Sequence, residues 1–224
     1  HMLWFVGFVF VFATGGMTGM LLSIAPVDFQ THNTLFLVAH FHSMVIGGVL
    51  FALFAGVGYW FPKIIGFKLN EAWGKAAFWF WITGFTFAFM PLYALGLMGA
   101  TRRMNHYDPS TGWQPLFILA AFGVSLVFFG VGCQVMQLLI SVIKRKENRD
   151  LSGDPWNGRT LEWSIPSPPP VYNFATTPEV HDIDEFWEMK LRKQEKSKNY
   201  EDIWLPKNTS IPLLIGGFSF LVGF

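Results

Sequence analysis

The stretch TLFLVAHFHSMVIGGVLFALFAGVGYWF (residues 34–61) is apolar and contains no Asp, Glu, Lys or Arg. A helix that crosses a bilayer needs about 20 mainly apolar residues, so the stretch predicts a transmembrane helix. It also holds two histidines, His40 and His42, separated by a single residue. Imidazole at membrane depth is costly unless it is paired or bound to a metal, which makes both residues candidate functional groups.

The spacing of the two histidines predicts where their side chains project. A helix turns about 100° per residue, so positions two apart project about 200° apart. His40 and His42 are therefore expected on nearly opposite faces of one helix, each facing a different group. Neutral imidazole is a preferred axial ligand of haem iron, so one haem on each side would use both rings. The alternative is that each ring is a hydrogen-bonded residue of the helix packing.

Three further stretches, 3–24, 76–100 and 115–143, also lack Asp, Glu, Lys and Arg and are long enough to cross a membrane. The chain is 52% hydrophobic and only 14% charged, which excludes an ordinary soluble domain. A net charge of +1 without a basic stripe gives no case for a nucleic-acid partner. We expect an all-α, multi-pass transmembrane helix bundle with four full spans within 1–143, a polar connector at 144–210 and the start of a fifth span at 211–224.

The order of the spans assigns each loop to a side of the membrane. Loops 25–33 and 101–114 share one side, and residues 62–75 and 144–210 share the other. The second side carries most of the cations near span ends, so the positive-inside rule makes it cytoplasmic. Proline density in the connector favours an extended chain with a short helix near 184–198. Its tryptophans suggest either docking or anchoring at the lipid interface: Trp156, Trp163 and Trp187.

Two arginines, Arg102 and Arg103, follow the third predicted span on the side that is poor in cations. Guanidinium groups hold carboxylates in a bidentate geometry, so haem propionates are one expected partner; a solvated arginine pair is the alternative. Asp28 and His32 lie in the loop on the same side, where propionate, water or metal binding and ordinary turn roles both fit. The polar residues His106, Asp108 and His181 are expected to be solvated. The hydroxyls within the spans are assigned no role, because such groups usually bond back to the helix backbone.

Five motifs stand out along the chain: FATGGMTG (12–19), HNTLFLVAHFH (32–42), MGATRR (98–103), DPWNGRTLEW (154–163) and SPPP (167–170). In content and in order they resemble motifs of subunit I of the haem-copper respiratory oxidases. Within that family, GFKLNE (66–71), FWEMK (186–190) and the apolar start after Ile211 look most like the bo-type ubiquinol oxidases of bacteria. Asn33 stands where the cytochrome c oxidases usually carry Asp. This departure argues against the magnesium site of the cytochrome c branch. Asn33 in this position is similar to the quinol branch.

The resemblance implies a role for each candidate residue. His40 would be an axial ligand of the high-spin haem, His42 an axial ligand of the low-spin haem b, and Phe41 would lie between the two cofactors. The family's propionate partners correspond to Arg102 and Arg103, with Asp28 and His32 near the propionates of the high-spin haem.

The resemblance further implies a fragment from the C-terminal half of a subunit that oxidises ubiquinol, reduces O2 to water and pumps protons. The high-spin haem would be of O or A type, and the copper ligands would lie outside this chain, which should hold no catalytic residue and be inactive alone. Implied partners are the rest of subunit I, oxidase subunits II, III and IV, ubiquinol, O2 and the bilayer of a bacterial inner membrane, with the propionate side periplasmic. The alternatives are a cytochrome c oxidase subunit I, a dihaem b-type electron carrier, and a transporter whose histidines handle protons.

Overall fold

Four long helices form the body of the chain in the computed structural model, which describes residues 1–192, 204 and 207–222. They are the first span (Met2–Leu22), the second span (Leu35–Ile65), the third span (Glu71–Leu97) and the fourth span (Gln114–Ile143). All four are long and apolar enough to cross a membrane. Within the described ranges the only β pairing is two isolated bridges, so the predicted all-α bundle is confirmed.

The third span differs most from its predicted bounds, because it begins at Glu71 rather than at residue 76 and ends at Leu97. Its start is set by Asn70, whose Oδ1 accepts the backbone N–H of Trp73 at 3.1 Å. An ion pair of 2.9 Å between Lys75 and Glu71 then adds a charged first turn that an apolar count misses. The second span likewise continues to Ile65 and ends where Gly66 takes a φ of 87°.

The second span changes its hydrogen-bond pattern directly after the two histidines. Residues Ser43–Leu50 form a π-helix between two α-helical parts, Leu35–His42 and Phe51–Ile65. Such wide turns are rare in proteins, and those that do occur are frequently found at functional sites. Sequence periodicity did not predict this change.

One face of the first span packs closely against the second span through a stripe at residues 7, 11, 15 and 19. A Cβ on Gly15 would lie 3.0 Å from Ser43 Cβ, and one on Gly19 would lie 2.8 Å from His40 Cε1. In the other direction, a Cβ on Gly47 would lie 2.3 Å from Val11 Cγ1. Small residues at this spacing let membrane helices approach each other, and here they bring the first span against His40.

Buried aromatic rings fill the space between the first three spans. Trp4 makes edge-to-face contacts with Phe51 and Phe78 at centroid distances of 5.2 and 5.3 Å. Phe51 is fully buried and also approaches Trp81 at 6.3 Å. These edge-to-face pairs add to the stabilisation from burial and make a rigid core on which the helices rest.

The part of the connector around residues 153–165 is folded against the end of the second span, which corrects the expectation of an extended segment there. Trp163 Nε1 donates to Tyr59 Oη at 3.0 Å, and Trp156 Nε1 donates to the Tyr59 carbonyl at 2.8 Å. The buried ammonium of Lys63 donates to the carbonyls of Gly153 at 2.7 Å and Ile165 at 2.6 Å. Proline stiffness is a local preference, and these long-range hydrogen bonds override it.

Two smaller α-helices lie after the fourth span in the described part of the chain. The helix predicted near 184–198 forms over Glu185–Leu191, and residues 193–198 lie outside the described part. Trp187 packs under the guanidinium of Arg159 at 5.0 Å, within the connector itself. The last helix, Ile211–Val222, has 12 residues, is exposed, and coincides with the predicted start of a further span.

Loops predicted to share a side of the membrane do meet in the fold. At one end, an isolated bridge joins Thr34 to Thr101, and the N–H of Leu35 donates to the Ala100 carbonyl at 2.9 Å. At the other end, Phe67 pairs with Arg149. The bundle therefore has two distinct ends, and the His pair lies nearer the end of the Thr34–Thr101 bridge.

Candidate haem-binding site

His40 lies against the first span with its ring orientation set by backbone. Its Nδ1 is 3.1 Å from the Gly15 carbonyl and 3.0 Å from Thr18 Oγ1. A carbonyl oxygen only accepts hydrogen bonds, so Nδ1 carries the proton. In the neutral ring, Nε2 then keeps a free lone pair, which is the form in which histidine binds a metal.

His42 has the same hydrogen-bond chemistry with a different neighbour. Its Nδ1 is 2.8 Å from the carbonyl of Val38, one turn earlier in the same helix, so Nδ1 is again the protonated nitrogen. The ring stacks on Phe89 of the third span at 4.6 Å with an interplanar angle of 21°. Phe41, the residue directly before His42, is 39% exposed, and its ring centroid lies 4.4 Å from that of the His42 ring.

The two rings thus contact different helices, His40 the first span and His42 the third. This separation agrees with the two opposite faces predicted from a spacing of two residues. Both rings use Nδ1 for a backbone carbonyl and leave Nε2 as the available ligand atom. A haem-binding histidine needs this pair of features: a fixed tautomer and a free ring nitrogen. The residues present therefore fit axial haem ligation.

Arg102 is held by Asn33 at the end of the bundle nearer the histidines. The backbone N–H of Arg102 donates to the Asn33 carbonyl and its Nη2 to Asn33 Oδ1, each at 2.9 Å. Its Nε is buried and has no hydrogen-bond partner within the described residues. An orphaned guanidinium donor of this kind suits an additional carboxylate. Arg103 is exposed and takes a φ of 68°.

The sequence predicted that Asp28 and His32 lie in a loop. In the structure, Asp28 lies in a short helix, Ala25–Thr31, and His32 follows directly after it. His32 Nδ1 is 3.3 Å from Asp28 Oδ1, and both side chains are exposed. Near the arginine pair, the Tyr107 hydroxyl donates to the Thr101 carbonyl, and burial raises the pKa of Tyr107. The structure therefore brings Asp28 and His32 together as a pair.

The remaining polar candidates have local partners. Asp108 caps a short 3-10 turn by accepting the N–H of Ser110 at 2.8 Å, and His106 is exposed. The backbone N–H of His181 donates to Glu185 Oε2 at 2.8 Å. Within the described ranges, no three His, Cys, Asp or Glu side chains cluster as a metal-ligand set.

Sequence reasoning missed the hydroxyls around His40. Thr18 and Ser43 do bond back to their own helices, as mid-helix hydroxyls usually do. Both also lie within hydrogen-bond distance of Tyr93 on the third span, at 3.0 and 3.1 Å. No sequence signal marks this meeting, because a tyrosine in an apolar helix has no spacing relation to residues on two other helices.

Comparison with known proteins places this arrangement in a family. The family profile described as "Cytochrome C and Quinol oxidase polypeptide I" matches residues 1–126. The cytochrome bo(3) ubiquinol oxidase subunit 1 of Buchnera aphidicola subsp. Acyrthosiphon pisum is 55% identical over 99% of this chain, which covers 34% of that relative. A probable cytochrome c oxidase subunit 1 of Bradyrhizobium diazoefficiens is 49% identical over 100% of this chain and 34% of its own length.

A solved structure supports the same assignment at the level of the fold. A heme-copper terminal oxidase dimer, studied by electron cryo-microscopy, aligns with a TM-score of 0.51 and 26% identity over 62% of this chain and 26% of that chain. The chain spans about a third of the length of the curated relatives it matches, at 34%. On the profile match and the near-complete alignment with these relatives, the chain belongs to the cytochrome c and quinol oxidase polypeptide I family.

Proposed function

We propose that this chain is the part of subunit I of a ubiquinol oxidase that supplies axial haem ligands on either side of the second span. His40 binds the iron of the high-spin haem, and His42 binds the iron of the low-spin haem b. The observation that carries this proposal is the pair of Nδ1 hydrogen bonds to Gly15 and Val38, which leaves Nε2 free on both rings.

The other candidate residues orient the haems and neutralise the charge of their propionates. Arg102, held by Asn33, and its neighbour Arg103 bind haem propionates, and the orphaned Arg102 Nε supports an extra carboxylate partner. Phe41 lies between the cofactors, and Asp28 with His32 serves the propionate region of the high-spin haem. When bound, the haems, the high-spin one of O or A type, supply one-electron and oxygen chemistry. The copper ligands belong to the rest of subunit I, so this chain alone is inactive.

The complete protein, on this proposal, oxidises ubiquinol, reduces O2 to water and pumps protons together with subunits II, III and IV. Residues 1–143 form part of its membrane core, 144–210 a cytoplasmic connector and 211–224 the start of a further span. The arginine end faces the periplasm of a bacterial inner membrane, because the opposite end holds most cations near the helix ends. The second candidate is a cytochrome c oxidase subunit, favoured by the Bradyrhizobium relative. Asn33 favours the quinol branch.

The reduced-minus-oxidised spectrum of the full-length subunit in its complex tests the proposal, with and without carbon monoxide. We expect one low-spin haem b signal that ignores carbon monoxide and one high-spin signal that responds to it. Turnover of purified complex with ubiquinol or with reduced cytochrome c decides between the two candidates. A complex without haem absorbance would refute the proposal and favour a transporter whose histidines handle protons.

A glycine pair on the first span tests the placement of the high-spin haem. An alanine at Gly19 puts Cβ 2.8 Å from His40 Cε1, whereas Gly16 has nothing within 4 Å of that position. Gly19→Ala should therefore displace the His40 ring and lower the carbon monoxide-reactive signal several-fold, while the low-spin signal stays. Gly16→Ala is the matched control and should keep both signals. Equal spectra for the two variants would contradict the placement.

A further inference from the structure

Three spans meet at the hydroxyl of Tyr93 beside His40. Tyr93 Oη is 3.0 Å from Thr18 Oγ1 on the first span and 3.1 Å from Ser43 Oγ on the second. Ser43 is 1% exposed, and the Tyr93 ring is held edge-to-face by Phe36 at 5.0 Å. The phenol is therefore fixed where the first, second and third spans come together.

The directions of these hydrogen bonds follow from counting protons. The Thr18 hydroxyl donates to the Gly15 carbonyl at 2.7 Å, and the Ser43 hydroxyl donates to the Ala39 carbonyl at 2.8 Å. Each hydroxyl has one proton, so both side-chain oxygens present lone pairs to Tyr93. While both hydroxyls donate to their own helices, Tyr93 is the donor to one of the two oxygens at a time, at 3.0 Å for Thr18 and 3.1 Å for Ser43.

Thr18 Oγ1 connects this phenol to the candidate haem ligand. The same oxygen is 3.0 Å from His40 Nδ1, which carries a proton and so donates to it. Tyr93 therefore contacts Thr18 Oγ1, the oxygen that accepts the hydrogen bond from the His40 imidazole. A polar chain enclosed among apolar helices is rigid when all its members are satisfied.

We propose that Tyr93 is a positioning residue for His40: through Thr18 it fixes the orientation of the imidazole and the strength of the hydrogen bond from Nδ1–H. This inference rests on the proposed function of His40 as the ligand of the high-spin haem. Hydrogen bonds from the second ring nitrogen raise the basicity of a ligating histidine and fix its tautomer. Without the Tyr93 hydroxyl, the Thr18 side chain keeps its bond to the Gly15 carbonyl but loses the partner on the third span, so Oγ1 is held less firmly beside Nδ1–H.

Resonance Raman spectroscopy of the reduced, full-length oxidase complex tests this through the iron–histidine stretching band. Tyr93→Phe should move the band to lower frequency and broaden it, because the imidazole becomes a weaker and less ordered ligand. Thr18→Val should shift it in the same direction. Since Tyr93 acts through Thr18, the double variant should shift the band no further than Thr18→Val alone.

Two control variants separate the specific effect from the general loss of a hydroxyl. Thr18→Ser keeps the oxygen and should keep the band of the unmodified protein. Tyr59→Phe removes another phenol hydroxyl, one that accepts from Trp163 Nε1 at 3.0 Å far from His40, and should leave the band unchanged. If the Tyr93→Phe complex does not assemble, an unchanged band in Thr18→Val would still overturn the proposal, because Tyr93 acts on His40 through Thr18.

The outcomes distinguish failure of this inference from failure of the proposed function. An unchanged band in Thr18→Val, or in Tyr93→Phe while Thr18→Val shifts it, would overturn the positioning role and leave His40 as a ligand. An unmodified complex without an iron–histidine band, or one that keeps the band in His40→Gly, would overturn the ligand assignment itself.

Discussion

Replacing His42 by alanine should abolish the low-spin haem b signal of the full-length complex and leave the carbon monoxide-reactive signal in place. The His42 ring stacks on Phe89 of the third span, whereas His40 Nδ1 faces the Gly15 carbonyl of the first span, so loss of His42 should remove one axial ligand and leave the hydrogen bonds of His40 in place. Among the described residues, the rings that contact His42 are those of Phe41 and Phe89, and neither can ligate iron. Difference spectra of the reduced complex measure both signals.

The reciprocal variant should give the reciprocal result. His40→Ala should remove the carbon monoxide-reactive signal while the low-spin signal stays, since His40 lies against Gly15 and Thr18 of the first span. His106→Ala is the matched control, because His106 is an exposed histidine in a loop, and both signals should survive its loss. Retention of both signals in His42→Ala or in His40→Ala would refute the corresponding ligand assignment.

Replacing Gly123 by alanine should strongly destabilise the packing of the third and fourth spans. The added Cβ would lie 2.2 Å from Ala88 N and 2.5 Å from the Phe87 carbonyl carbon, which are backbone atoms that no rotamer change can move. Overpacking of this kind typically costs about 1–3 kcal/mol, and more where the backbone must shift. That cost exceeds the roughly 1 kcal/mol by which alanine is favoured over glycine in a helix.

Gly132 on the same helix provides the control for this effect. A Cβ there meets nothing within 4 Å, so Gly132→Ala should keep the favourable helix propensity and be neutral or slightly stabilising. Thermal unfolding of the full-length subunit, followed by tryptophan fluorescence, should show a midpoint well below that of the unmodified protein for Gly123→Ala only. Coincident unfolding curves for the two variants would contradict the close approach of the spans.

The arginine pair shows where prediction from residues reached its limit. Its place beyond the third span follows from the length of the apolar run alone. The contact of Arg102 with Asn33 depends on the two loops meeting at the Thr34–Thr101 bridge, which no local pattern encodes. The same holds for Lys63, whose partners Gly153 and Ile165 lie 90 and 102 residues away in sequence.

The number of spans, the sharing of loops between the two ends and the divergence of His40 from His42 could all be predicted from the residues alone. These properties depend on apolar length and on the fixed rotation per residue of a helix, both of which are local. Three other features depend on how the helices pack: which ring nitrogen carries the proton, the docking of the connector onto Tyr59 and Lys63, and the meeting of Tyr93 with Thr18 across 75 residues of sequence. A hydrogen bond needs two atoms within about 3 Å of each other, and for residues distant in sequence only the packing of the helices sets that distance.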